Sequence, residues 1–219
     1  MVVAAPPGRF ADRAAGWLGV AFLVTLLASE AALSLPDEHA TAFAVASFYA
    51  AHRPVILVLQ AAGVVAAALL AAFAWRLRVL SHGVWLAGLV LAVTTLAPTS
   101  VTMLLALTAD PGRLVRAGRY NQLEPRGDDL LFVGVTVFAV AVLLVLGRRP
   151  RWLGALATLV AVCCLLRLSL EALGRDRGVL DALAPLSFLA LVAALVWLCF
   201  KGFPAERTTG GERTPVNQG

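Results

Sequence analysis

The chain has 219 residues, 60% hydrophobic and 14% charged, with 18 basic residues against 13 acidic. Soluble domains carry about 45 to 50% apolar and about 25% charged residues, so a soluble globular fold is excluded: it could not hide this much apolar surface. The positive balance does not indicate nucleic acid, because the basic residues, 17 of them arginine and only Lys201 a lysine, fall in short segments between apolar runs and never form one basic face.

A helix needs roughly 20 apolar residues to cross a hydrocarbon core of about 30 Å. In chain order, the sequence predicts six such spans, near 14–35, 55–74, 84–107, 130–146, 152–170 and 180–200. The first follows a head carrying Arg9 and Arg13 and imitates a signal peptide, but it is long for a signal h-region of about 7 to 15 residues, and five more spans follow. The expected architecture is an all-α, polytopic membrane protein: a bundle of about six transmembrane helices. Residues 1–13 form a cytoplasmic head, 14–200 the transmembrane domain and 201–219 a disordered cytoplasmic tail, as the Gly, Thr, Pro and Glu content of the last segment suggests.

Cytoplasmic loops retain Lys and Arg. The head, the second and fourth loops and the tail together hold ten basic residues, and the first, third and fifth loops hold seven, so both termini are expected inside a bacterial plasma membrane. The third loop is also acidic, with Asp110, Glu124, Asp128 and Asp129. Within the first loop, Phe43, Ser47 and Ala51 recur at helical spacing and predict a surface helix, with Phe48 and Tyr49 suited to the membrane interface and Pro54 opening the second span. Asp110 and Pro111 resemble the start of another helix, followed by Leu114, Val115 and Gly118. Arginines followed by Trp-Leu recur at Trp85-Leu86 and Trp152-Leu153, which the positive-inside and interfacial-tryptophan preferences explain without duplication.

The segment Phe48-Tyr49-Ala50-Ala51-His52-Arg53 entering the second span, and Pro150-Arg151-Trp152-Leu153-Gly154 opening the fifth, resemble features of small six-helix membrane proteins of high-GC actinobacteria, typed as domains of unknown function. The resemblance extends over the layout from roughly Arg9 to Phe200. It implies a six-helix fold and no assigned activity, and it brings no site residues with it.

Ionisable groups within spans are costly and mark candidate sites. Glu30 and Arg167 are expected very roughly 5 to 9 Å beneath the outer boundary, from about 1.5 Å per helical residue. Glu171 lies one turn farther out, and Gln60 falls in the same layer. Thr99, Ser100 and Thr102 approach this depth after Pro98, and Thr136 is the weakest member. One reading is an outward polar cavity in which Arg167, paired with Glu30 or Glu171, holds a small anionic or zwitterionic ligand through its planar fork. The other is a local ion pair of Arg167 with Glu171 at i, i+4, with snorkelling side chains.

Pro98 is expected to kink the third span, with neighbouring hydroxyls satisfying freed backbone groups. The stripe Gly63, Ala67, Ala71 predicts close helix approach. His39, His52 and His82 have no paired spacing for a metal or haem, no phosphate loop or nucleophile elbow occurs, and Cys163, Cys164 and Cys199 read as buried structural thiols. The expected role is a non-catalytic membrane component without cofactor or metal, contacting the lipid bilayer and binding a membrane partner protein, a second copy, a lipid or a small ligand. The alternative is a small transporter or permease subunit. Asp128 and Asp129 read as marking the outer edge of the fourth span.

Overall fold

The computed structural model describes residues 11–31, 36, 40–110, 123–146 and 150–203, without the side chains of residues 30, 31 and 124. The predicted helix after Asp110 and the tail from residue 204 lie outside the described residues. Seven helical segments are described: α1 (Arg13–Ala31), α2 (Ala42–Leu77), α3 (His82–Thr94), α4 (Leu96–Thr108), α5 (Glu124–Leu146), α6 (Arg151–Ala172) and α7 (Leu180–Lys201). Five spans, with α3 and α4 taken together as one, are long and apolar enough to cross a membrane, and α1 is a sixth, shorter apolar helix. The chain is an all-α, multi-pass membrane protein.

Side-chain caps start several helices by accepting from amides that have no partner within the helix. Asp12 accepts from the Ala15 amide (3.0 Å), Thr41 from Ala44 (3.3 Å) and Ser81 from Gly83 (3.1 Å). The spans then follow one another up and down around a ring. α1 packs on α2, α2 on α3 and α4, both of these on α5, α5 on α6, α6 on α7, and α7 closes against α1. Phe22, Phe73, Leu91, Phe138, Leu153, Leu191 and Leu195 fill the centre and are fully buried, as are the three cysteines. Outward-facing Val58, Leu144 and Leu186 are more than 60% exposed within the chain, and they belong to an apolar surface far larger than a soluble protein tolerates, which acyl chains cover.

The two ends of the ring differ in chemistry. All five tryptophans stand at one end: Trp17 at the start of α1, Trp75 at the end of α2, Trp85 early in α3, Trp152 at the start of α6 and Trp197 near the end of α7. Trp75 stacks edge-on to Trp85 at 5.3 Å, Trp152 meets Trp197 at 6.1 Å, and the Arg78 guanidinium lies 4.0 Å from the Trp75 ring centre. Arg13, Arg76, Arg78, Arg151 and Lys201 share this end with one described acid, Asp12. Asp12 binds Arg76 at 2.9 Å, and the hydrogen bond from that guanidinium outweighs burial and holds the Asp12 carboxyl below the usual carboxylate range. The acids Asp110, Asp128, Asp129, Glu171, Asp176 and Asp181 stand at the opposite, distal end.

Two boundaries differ from expectation. The surface helix and the second span are one helix: α2 runs 36 residues with Pro54 inside it. Proline removes one backbone bond without ending the helix here, because Arg53, the residue it would push out of helical geometry, is tied down by a 2.7 Å hydrogen bond from its Nη2 to the Ala109 carbonyl on α4. Tyr49, expected at the membrane interface, is instead fully buried with Val45 and Ile56 against Leu105, Ala106 and Ala109, forming a second small core. Likewise α5 starts at Glu124, with Pro125 in the first turn where its missing amide proton costs nothing, so Arg126, Asp128 and Asp129 are helical rather than loop residues.

The third span divides at Thr95, three residues before Pro98. Pro98 has no amide proton for the Thr94 carbonyl, and its ring crowds that same turn, so the disturbance falls one turn ahead of the proline. This segment is seated closely against α5. A Cβ on Gly127 would lie 3.0 Å from the Pro98 Cα, and one on Gly134 would overlap the Thr94 hydroxyl.

Candidate functional site

The four residues singled out from the sequence separate into two places. Arg167 and Glu171 belong to an ion network between α6 and α7, whereas Gln60 lines a cavity on the other side of the ring. Glu30 is in the last turn of α1, and its side chain is not among those described.

The network is built by the short turn joining α6 to α7. Gly174 takes a left-handed φ of 63°, the Arg175 amide donates to the Leu170 carbonyl and the Gly174 amide to Glu171, each at 2.9 Å, which closes the end of α6. The reversal brings Asp181, in the first turn of α7, back against Arg167. Arg167 Nε donates to Asp181 at 3.0 Å, its Nη1 donates to Asp129 of α5 at 3.4 Å, and its guanidinium carbon stands 4.0 Å from the centre of the Phe132 ring. Glu171 pairs with Arg177 at 2.9 Å, and Arg177 also approaches Asp181 at 3.7 Å. The expected i, i+4 pair of Arg167 with Glu171 is therefore replaced by pairs across helices.

The reason is geometric. Arg167 is 4% exposed and aimed into the ring, toward the helix starts that carry Asp129 and Asp181, while Glu171 follows the turn toward Arg177. With both faces of its fork engaged, Arg167 is a tether joining α5, α6 and α7. Asp129 and Asp181 are the members that sequence reasoning missed. Their signal was positional, since each lies within the first two turns of a helix that begins at the end where α6 finishes.

The cavity has a volume of about 210 Å³ and lies in the distal half of the ring among α1, α2, α4 and α5. Its polar lining comes from Ser29, Gln60, Thr95, Thr99, Thr102 and Asp128, and its apolar wall includes Phe22, Leu26, Ile56 and Leu131. Gly63, from the small-residue stripe, makes room here: a Cβ at this position would stand 3.1 Å from the Thr99 hydroxyl. Pro98 lines the same space, so the point where the third span divides forms part of the wall. Ser100, by contrast, donates to the Leu96 carbonyl on an exposed face, Thr136 donates to Phe132, and neither lines the cavity.

Fold and site together define the class: a multi-pass α-helical membrane protein whose ring holds a cavity of mixed polar and apolar lining near one end. Comparison with protein-family models, with curated proteins and with solved structures finds no match.

Proposed function

We propose that this protein is a non-catalytic component of a bacterial plasma membrane, with both termini in the cytoplasm, that binds a small ligand in the distal cavity from the outer side. The observation that carries the reading is the cavity itself: six polar residues from four helices line one space in a ring whose core is mainly apolar. Burying polar groups in a bundle is costly unless they are satisfied, and a space of 210 Å³ leaves room between them for a ligand or water. The orientation is supported by the basic residues at the tryptophan end, where the chain also enters α1 and leaves α7.

The test is thiol accessibility in intact cells, with Gln60→Cys and Thr99→Cys made singly in a chain whose three native cysteines are changed to alanine. Both are expected to react with a membrane-impermeant reagent from outside, His52→Cys on the projecting part of α2 serves as reactive control, and Ala157→Cys in the core as silent control. Silence at 60 and 99 with 52 reactive removes the ligand reading.

A second reading, a small transporter, is favoured by one observation: Pro98 and Thr95, where the third span divides, form part of the cavity wall. Transport requires the span to hinge there so that the cavity opens alternately to each side. The two readings part on whether Thr99→Cys also reacts from the cytoplasmic side in inverted vesicles.

A further inference from the structure

We infer that the cavity selects a small primary ammonium group, a conclusion that rests on the ligand-binding reading above. The sequence suggested an anion held by Arg167, but Arg167 is paired with Asp129 and Asp181 and does not line the cavity. What lines it is the opposite in character. Ser29 donates its hydroxyl proton to the Leu26 carbonyl (2.8 Å), Thr95 to Ala92 (2.7 Å) and Thr99 to Thr95 (3.1 Å). A carbonyl can only accept, so in each case the hydroxyl proton is committed to the helix backbone and only oxygen lone pairs remain to meet a ligand. Gln60 adds an amide oxygen.

Asp128 is the single ionisable residue among those lining the space. It is already engaged within the protein. A carboxylate has about four acceptor sites, so it can take a ligand donor beside a protein partner.

An ammonium group supplies three donors and no acceptor, which complements the Ser29, Thr95 and Thr99 hydroxyl oxygens, the Gln60 amide oxygen and one carboxylate. A carboxylate or phosphate ligand would find a donor in the Gln60 amide nitrogen but meet lone pairs at Ser29, Thr95, Thr99 and Asp128. Size narrows the class further. The 210 Å³ equals the share of about seven water molecules and falls below the roughly 300 Å³ at which drug-sized pockets begin. The apolar wall of Phe22, Leu26, Ile56 and Leu131 suits a short hydrocarbon chain and argues against a bare metal ion, which would need its oxygens drawn in around a much smaller volume. The ammonium can belong to a free amine or to the headgroup of an aminophospholipid.

The experiment compares butylammonium, butyramide and butyrate by calorimetry on the full chain in phosphatidylcholine nanodiscs. Butylammonium is expected to bind about tenfold or more tightly than either of the others, the effect of one charge-assisted hydrogen bond, and Asp128→Asn is expected to remove that preference while leaving butyramide unchanged. The comparison of the three probes on the unaltered chain stands even if Asp128→Asn does not fold. Equal binding of all three, or a preference for butyrate, overturns the ammonium inference and leaves the cavity a ligand site. Failure of all three to bind overturns the ligand reading itself. Adding phosphatidylethanolamine to the discs assigns the source: competition with butylammonium identifies a lipid headgroup, and no competition identifies a free amine.

Discussion

Replacing Arg167 with leucine removes a side chain that joins α5, α6 and α7 at the distal end, and the cost can be worked from its contacts. The bond to Asp181 at 3.0 Å is charge-assisted, a class that contributes about 1.5 to 3 kcal/mol. The 3.4 Å contact to Asp129 is long and adds less, and the position over Phe132 adds roughly 0.5 to 2 kcal/mol. Two features reduce the loss. The Asp181 side chain is 51% exposed and keeps Arg177 within 3.7 Å, so neither carboxylate is stranded in an apolar interior, and leucine restores part of the buried hydrocarbon. The expected net destabilisation is about 2 to 3 kcal/mol, below the roughly 3 to 5 of a fully buried pair broken from one side.

Reversible unfolding in mixed micelles measures it, with Asp181→Asn and Glu171→Gln completing two double-mutant cycles. Arg167 should couple to Asp181 by about 1 kcal/mol or more and to Glu171 negligibly. Coupling to Glu171 alone would restore the same-helix pair and refute the cross-helix network, and a loss under about 0.5 kcal/mol for Arg167→Leu would refute its role as a tether.

Four further outcomes are expected. Gly134→Ala pushes a methyl group into Thr94 and within 3.2 Å of the Leu91 Cα, and should cost about 1 to 3 kcal/mol in the same unfolding assay; Thr94→Ala should restore only part, because the Leu91 backbone stays in place. Pro98→Ala should change stability by less than about 1 kcal/mol and leave thiol labelling at position 99 unaltered, since the close approach at Gly127 and Gly134 seats the third span on α5; altered labelling would mark a hinge instead. Tyr49→Ala should cost about 3 kcal/mol locally and speed amide exchange in the first half of α2, with the main core unchanged. Because the fold holds the Asp12 carboxyl below its usual 3.8, its contribution is complete above that value and disappears as pH falls through the lower, folded one. Asp12→Asn, which keeps the helix cap, should therefore be less stable than the parent at neutral pH and converge with it only in acid.

The number and order of the spans were legible because hydropathy at helix length is a local property, and each predicted span falls on a helix. The ends were not. Glu124 to Asp129 look like an acidic loop, yet an acidic first turn with proline in it is how a helix begins, and the span was started at the first apolar residue instead. Pro54 looked like a helix start because nothing nearby in sequence shows that Arg53 reaches a carbonyl on α4, at a separation of 56 residues. Depth bookkeeping placed Gln60 and Thr99 at one level, and the structure puts them on one cavity. The same bookkeeping placed Arg167 at that level too, but level alone cannot say which way a side chain turns around the helix axis. Arg167 turns toward α5 and α7.

The gathering of every tryptophan at one end makes the protein's intrinsic emission a depth-resolved signal. The polar lining of the cavity is far from most indoles, Gln60 and Trp75 being separated along α2 by about 22 Å at 1.5 Å per residue, while Trp17 stands one to two turns from Phe22 of the apolar wall. Quenchers confined to one leaflet should therefore darken nearly all of the emission or almost none, which reports the sidedness of a reconstituted sample directly. A ligand that fills the polar part of the distal cavity without moving the helices should leave the emission of Trp75, Trp85, Trp152 and Trp197 unchanged, and a spectral shift that persists in Trp17→Phe would mean that the helices had moved.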